Sequence, residues 1–183
     1  MSKNVVVLIS GTGSNLKALI DGQHNHNYTI TGVVADRQAP GLAFADEAGI
    51  KTRVVKLADY DTRADWDEAL AKTVSSFKPD LVVLAGFMKL VGSAMLNAFS
   101  TRMINTHPAL LPSFPGDHAV ADALAHGVKI TGATVFIVDE GIDTGRIIAQ
   151  RAVEVLDGDT EDSLHERIKQ VEHQMLVEVV ANF

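Results

Sequence analysis

The run Val5-Val6-Val7-Leu8-Ile9 is apolar and β-branched without alternation, the pattern of a strand buried on both faces of a parallel sheet. Gly11 and Gly13 end it, and Leu16, Leu19 and Ile20 then share one face of a helix beginning near Ser14. The alternation continues. Residues 30–35 predict a strand, residues 41–48 a helix and residues 53–57 a further strand. Trp66, Leu70, Thr73, Val74 and Phe77 recur at helical spacing and predict a longer helix, and residues 81–85 predict another buried strand. Strands alternating with helices imply right-handed crossovers and an α/β fold with a doubly wound, mainly parallel, Rossmann-like sheet.

Beyond residue 100 the pattern changes. Residues 103–105 predict a short strand, followed by a loop bounded by Pro108 and Gly116. Residues 130–138 and 147–155 predict two strands joined by only eight residues. That is too few for a helical crossover, so an antiparallel pair is expected towards the C-terminus. A final helix is opened by Asp159 and Thr160, with Glu161 and Asp162 in its first turn and an apolar stripe of Leu164, Ile168, Val171, Met175 and Val179. No internal repeat or linker divides the chain, so residues 1–183 are expected to form a single domain.

Composition narrows the function classes. The 183 residues are 46% hydrophobic and 21% charged, a balance that supports one substantial core. Sixteen Lys and Arg against 23 Asp and Glu leave a formal charge of -7. That argues against a general nucleic-acid surface and leaves room for one local anion site. The absence of cysteine excludes disulfides and thiolate metal sites and fits a cytoplasmic protein. The short apolar run near the N-terminus matches neither a signal peptide nor a membrane span. Small-molecule substrates are expected, with no nucleic-acid or membrane partner. Oligomeric state, monomer or homodimer, is left open.

Two segments carry candidate chemistry. Ser10-Gly11-Thr12-Gly13-Ser14-Asn15 lies between the first strand and the first helix, where glycines let backbone approach an anion and free helix N–H groups attract it. Leu16 fills the third glycine position of a dinucleotide fingerprint, and the Lys-Ser/Thr pair of a nucleoside triphosphate loop is missing. The turn therefore reads as a monophosphate site, or, taken alone, as a simple strand-to-helix connection. In the second segment, Asn105 and His107 are two apart on extended backbone and share a face, with Pro108 holding the ring at a strand end. An amide and an imidazolium can both donate to the oxygen of a tetrahedral acyl intermediate, and Asp143, in a loop flanked by Gly141 and Gly145, is a candidate to orient the ring. His118 is a second ligand-facing candidate. His24, His26, His126, His165 and His173 read as surface or structural, and no His, Asp and Glu spacing suggests a metal.

Together these segments resemble the glycinamide ribonucleotide formyltransferases. The matching runs are Val7-Leu8-Ile9-Ser10-Gly11-Thr12-Gly13-Ser14-Asn15-Leu16, Leu84-Ala85-Gly86-Phe87-Met88 and Ile104-Asn105-Thr106-His107-Pro108-Ala109-Leu110-Leu111-Pro112. They continue with Phe114-Pro115-Gly116 and His118, Gly141-Ile142-Asp143-Thr144-Gly145, and Gly158-Asp159-Thr160-Glu161 with Glu172. They stand in family order and cover most of the chain.

The resemblance implies a formyl group moved from 10-formyltetrahydrofolate to the amine of 5-phosphoribosylglycinamide, a step of purine synthesis, with no metal and no NAD. It implies a phosphate-binding half over about residues 1–100 and a catalytic, folate-side half over about residues 101–183. It assigns Asn105, His107 and Asp143 to catalysis and Gly13, Ser14 and Asn15 to the substrate phosphate. It assigns Glu172 to the ribose, which residue type alone reads as an exposed helix acid. Met88, Lys89, Leu90 and Val91 fall to the pterin, with Asn105 touching the folate, and Arg63 to the folate's glutamate tail. Asp117 stands where the family carries a small or apolar residue, Arg146 stands where it carries Pro, and the chain ends at Phe183, before the family's final strands. An inactive sugar-phosphate-binding relative is the alternative that these departures suit. A nicotinamide dehydrogenase is disfavoured by Leu16, with Asp36 the one candidate for its ribose acid.

Overall fold

Val5 to Ile9 are all fully buried, and they form most of β1 (Lys3–Ile9). Burial of each such side chain contributes roughly 1.5–3 kcal/mol. β1 runs parallel to β2 (Tyr28–Ala35) on one side and β4 (Leu81–Leu84) on the other. The chain is seen here as a computed structural model that describes residues 2–183. Its seven strands follow the order β3-β2-β1-β4-β5-β6-β7 in a mainly parallel sheet. The chain separates into two compact units, Met1–Ile104 and Asn105–Phe183.

In the first unit, β3 (Thr52–Val54) pairs parallel with β2. Three helices follow the strand ends: α1 (Ser14–Gly22), α2 (Leu42–Glu47) and α3 (Arg63–Ser75). α3 is anchored by Trp66, fully buried, whose Nε1 donates to the Val55 carbonyl at 2.9 Å. The strand expected over residues 53–57 stops early. Pairing with β2 ends when Val55 donates to Ala35, and without a partner the chain turns into one 3-10 turn, Leu57–Asp59. Phe77 lies past the end of α3. Its ring packs where a Cβ on Gly32 would sit, 2.5 Å away, so β2 needs glycine there.

A short helix, α4 (Ser93–Phe99), escapes the apolar pattern because it is seven residues long. Its capping acid lies in another helix. The Asp67 carboxylate, 3% exposed, accepts from Gly92 N at 2.6 Å, Ala94 N at 2.7 Å and Met95 N at 3.3 Å. These are N–H groups that a helix start leaves open.

The second unit takes up the end of β5 (Met103–His107) and adds α5 (Ala119–His126), β6 (Ile130–Ile137), β7 (Ile147–Glu154) and α6 (Glu161–Asn182). β6 and β7 are antiparallel, with Ile130 opposite Glu154 and Phe136 opposite Ile147. α5 was also silent in the sequence pattern because it is only eight residues long. α6 opens with a reciprocal cap in which Thr160 accepts from Ser163 N while the Ser163 hydroxyl accepts from Thr160 N. Its buried face carries Leu164, Ile168, Met175, Leu176, Val179 and Val180, and Glu172 instead of the half-buried Val171.

Asp159, just before α6, is held by the Arg167 guanidinium, by Leu156 N at 2.8 Å and by the Ser163 hydroxyl at 2.8 Å. These contacts lower its pKa to about 2, the Arg167 hydrogen bond first. A carboxyl depressed in the fold stabilises it above the unfolded value near about 4, and that contribution is lost as pH falls through the folded value. Asp159→Asn should therefore lower the urea midpoint at pH 7. The gap to the parent should close between about pH 4 and pH 2, and a gap that persists unchanged in acid would refute this role.

Candidate active site

In the second unit, β5 delivers Asn105, Thr106 and His107 at its C-terminal end, the end at which α/β sheets bind ligands. The Asn105 Oδ1 accepts from Thr106 N at 2.8 Å. That contact commits the amide oxygen and leaves the NH2 of this half-buried side chain as the group to offer a ligand. His107 is 4% exposed. Its Nε2 lies 2.7 Å from the Phe114 carbonyl, which can only accept, so Nε2 carries a proton. Its Nδ1 faces the Asp143 Oδ2 at 3.4 Å, an ion-pair distance longer than a normal hydrogen bond. Asp143 Oδ2 also accepts from Gly116 N at 2.9 Å.

These contacts rest on unusual backbone. Phe114 has φ 52 and Asp143 φ 56, left-handed values that non-glycine residues rarely adopt, and Gly116 has φ 90. Each of the first two costs roughly 1–3 kcal/mol. The Phe114 ring is held edge-on to His126, with centroids 5.3 Å apart. Glu172 accepts a hydrogen bond from the Thr106 hydroxyl, between Asn105 and His107, and is 6% exposed. Reading it as an exposed helix acid is overturned.

In the first unit, Gly13 caps α1 at φ 77, and a Cβ there would lie 2.8 Å from Gly41 Cα. Gly41 N donates to Gly11 O at 3.0 Å. The α1 N-terminus has no side-chain cap and no acid in its first turn, the condition in which its N–H groups suit an anion. Asn15 is 9% exposed, and its Oδ1 is buried without a hydrogen-bond partner among the described residues. Buried polar groups of this kind are rare. A carboxamide turned about its last bond would put its NH2 in that place.

Also in the first unit, Met88 and Leu90 are exposed while Phe87 stacks on Trp66 with centroids 6.4 Å apart. Arg63 donates to the Leu90 carbonyl at 2.6 Å and lies over the Trp66 ring at 5.6 Å. The guanidinium expected at a ligand carboxylate thus already holds the Met88-to-Val91 segment. Among the described residues no group of three or more His, Asp or Glu could hold a metal ion, and no helix is long and apolar enough to cross a membrane.

Comparison with known proteins identifies the scaffold. The formyl transferase family pattern matches residues 3–180. The chain is 51% identical to the phosphoribosylglycinamide formyltransferase of Mycobacterium tuberculosis over 178 residues, 97% of this chain and 83% of that protein. The chain belongs to the formyl transferase family. The crystal structure of glycinamide ribonucleotide transformylase 1 from Symbiobacterium toebii superposes with a TM-score of 0.96 at 44% identity, covering 98% of this chain and 86% of that one. The phosphoribosylglycinamide formyltransferase of Brucella melitensis gives 0.95 at 39% identity, covering 100% of this chain and 96% of that one. The human trifunctional purine biosynthetic protein adenosine-3 is 45% identical over 174 residues, 93% of this chain and 17% of that protein.

Within this formyltransferase, Asp117 and Arg146 are exposed, and the contacts around His107 form with both in place. Arg146 contributes its carbonyl to Ile137 N at 2.9 Å, a bond that Pro would also accept. His118 is exposed at the start of α5 and makes no side-chain cap. Sequence reasoning passed over Thr134 and Gln150. The buried Thr134 hydroxyl donates to Ala109 O at 2.7 Å and accepts from Leu111 N at 3.1 Å, while Gln150 Nε2 reaches Thr134 at 3.0 Å and Leu111 O at 2.8 Å. A threonine inside an apolar strand gives no signal of its own, since its partners lie in a distant loop. Thr134→Val keeps the shape and strips the loop of its anchor. It should lower stability by about 1–3 kcal/mol, the scale of unsatisfied buried partners, and cut formyl transfer. Calorimetry showing an unchanged Tm would refute the anchor.

Proposed function

We propose that the chain transfers a formyl group from 10-formyltetrahydrofolate to the primary amine of 5-phosphoribosylglycinamide in purine synthesis. The observation that carries this reading is the Asn105, His107 and Asp143 arrangement at the end of β5, in a chain 51% identical to a phosphoribosylglycinamide formyltransferase. The purine biosynthetic protein named among the relatives supports the pathway. The cysteine-free composition suits a cytoplasmic location, which is part of the proposal.

The amine nitrogen attacks the formyl carbon, forming one C–N bond and a tetrahedral oxyanion. Collapse breaks the bond to folate N10, which takes up a proton, while the amine gives one up. Asn105 donates its amide N–H to the oxyanion, a preorganised donor in a site where its other end is already tied. His107 donates to the same oxygen and helps move the proton. Its Nε2 bond to the Phe114 carbonyl is exchanged for the substrate during turnover. Asp143 supports the positively charged ring from the Nδ1 side.

The uncapped start of α1, with Gly13, Ser14 and Asn15, receives the substrate phosphate. Glu172 serves the ribose hydroxyls. Met88, Lys89, Leu90 and Val91 take the pterin, and Arg63 has further N–H groups for the glutamate tail beyond the one spent on Leu90. His118 is at most an accessory, given its exposure. An inactive relative is the weaker reading, because the donor, the ring and its carboxylate are all present.

The direct test mixes the protein with 10-formyltetrahydrofolate and 5-phosphoribosylglycinamide and follows release of tetrahydrofolate. Turnover that needs both substrates is expected, and none with saturating substrates would refute the reading. Asn105→Ala should cut kcat by roughly 10²–10³, the scale for one oxyanion donor. A KM effect without loss of kcat would remove Asn105 from the chemical step.

A further inference from the structure

Ser10 lies between the end of β1 and the Gly11-to-Asn15 turn, and it is 5% exposed. Its backbone N donates to Gly86 O at 3.0 Å, and its hydroxyl accepts from Met88 N at 2.9 Å. The Ser10 hydroxyl also contributes to lowering the pKa of a nearby buried carboxylate, Asp36. Asp36 follows β2, is 5% exposed, and is gripped by Arg37 through Nε at 3.1 Å and Nη2 at 2.8 Å. Burial opposes its charge, yet the Arg37 hydrogen bonds, the Ser10 hydroxyl and the charges of Arg37 and Lys89 together hold its carboxyl below the usual range. The contact that places the Ser10 hydroxyl is its lone pair on the Met88 amide.

The segment that Ser10 touches shows its side chains to solvent and has its backbone held from behind. Met88 is 67% exposed and Leu90 58%. Gly86, just before it, sits at φ 72 and turns the chain sharply. Side chains then hold two of its backbone sites, Ser10 the amide of Met88 and Arg63 the carbonyl of Leu90, and Asp67 holds the amide of Gly92 just beyond it. Arg63 and Asp67 project from α3. Ser10 differs, because it lies between β1 and the Gly11-to-Asn15 turn. One side chain therefore registers the 88–91 backbone against the start of that turn.

We propose that Ser10 is a positioning residue for the formyl donor, fixing the Met88 amide and so the shape of the segment that takes the pterin. The inference rests on reading residues 88–91 as the donor-binding segment. Ser10 touches neither substrate and acts through Met88. Removing its hydroxyl leaves the Met88 N–H without its acceptor, while the Ser10-to-Gly86 backbone bond stays. The loss falls on the donor.

The test pairs kinetics with amide exchange on the full-length chain. In Ser10→Ala the KM for 10-formyltetrahydrofolate should rise roughly 2- to 12-fold, the worth of one hydrogen bond. The KM for 5-phosphoribosylglycinamide and kcat should stay within about 2-fold, the split expected when only donor binding is disturbed. By NMR, the Met88 amide should exchange with solvent several-fold faster without ligand, with β1 amides unchanged. Ser10→Thr retains the hydroxyl and should restore slow Met88 exchange and the parent donor KM. Unchanged Met88 exchange in Ser10→Ala, an equal rise in both KM values, or a Thr variant as impaired as the Ala variant would each overturn the inference. Failure of the parent protein to transfer formyl would overturn the donor reading instead, and Met88 exchange, read without turnover, separates the two failures.

Discussion

The second unit is organised around one buried imidazole whose two nitrogens both face oxygen acceptors. His107 sits between the Phe114 carbonyl, 2.7 Å from Nε2, and the Asp143 carboxylate, 3.4 Å from Nδ1. Holding it there requires two loops to adopt left-handed backbone at Phe114 and Asp143. The surrounding structure compensates. Gly116 N closes on Asp143, the Phe114 ring rests on His126, and Thr134 with Gln150 pins the loop between them and β5. Local strain that persists because neighbours over-determine it is characteristic of functional loops.

The first unit follows a different logic. Its candidate functional segments are loops at the ends of β1 and β4, shaped by what lies behind them. Gly13 accepts close approach of Gly41, which keeps the turn tight and leaves the start of α1 uncapped. The stretch after β4 is held by Asp67, Arg63 and Ser10. Buried carboxylates recur as organisers here. Asp67 gathers three backbone amides, and Asp36 takes two bonds from the Arg37 guanidinium. Charged groups are rarely buried unless paired in this way.

Much of this was legible in the sequence. Uninterrupted β-branched runs gave β1 and β4 because a strand buried on both faces has no polar alternation, and the short connection before Ile147 gave the antiparallel pair. The formyltransferase motifs pointed to His107 and Asp143, which the fold brings to 3.4 Å. What escaped was tertiary. α4 depends on an acid 25 residues away, and β3 stops where its partner does, not where its apolar residues do. Glu172 was singled out by the resemblance alone, since its residue type reads as a surface acid and the Thr106 hydroxyl that meets it comes from a distant strand. Ser10 looked like part of a turn, and its hydroxyl takes meaning only from the Met88 amide 78 residues away.

The central claim is that Asp143 works through His107, not by shaping its own loop alone. A double-mutant cycle on kcat measures this most directly, with His107→Ala, Asp143→Asn and the pair compared with the parent. If the carboxylate acts on the ring, removing it costs nothing further once the ring is gone, and the double variant should be no worse than His107→Ala within about 2-fold. Losses that multiply across the two positions would contradict the account and assign Asp143 to its Gly116 contact instead.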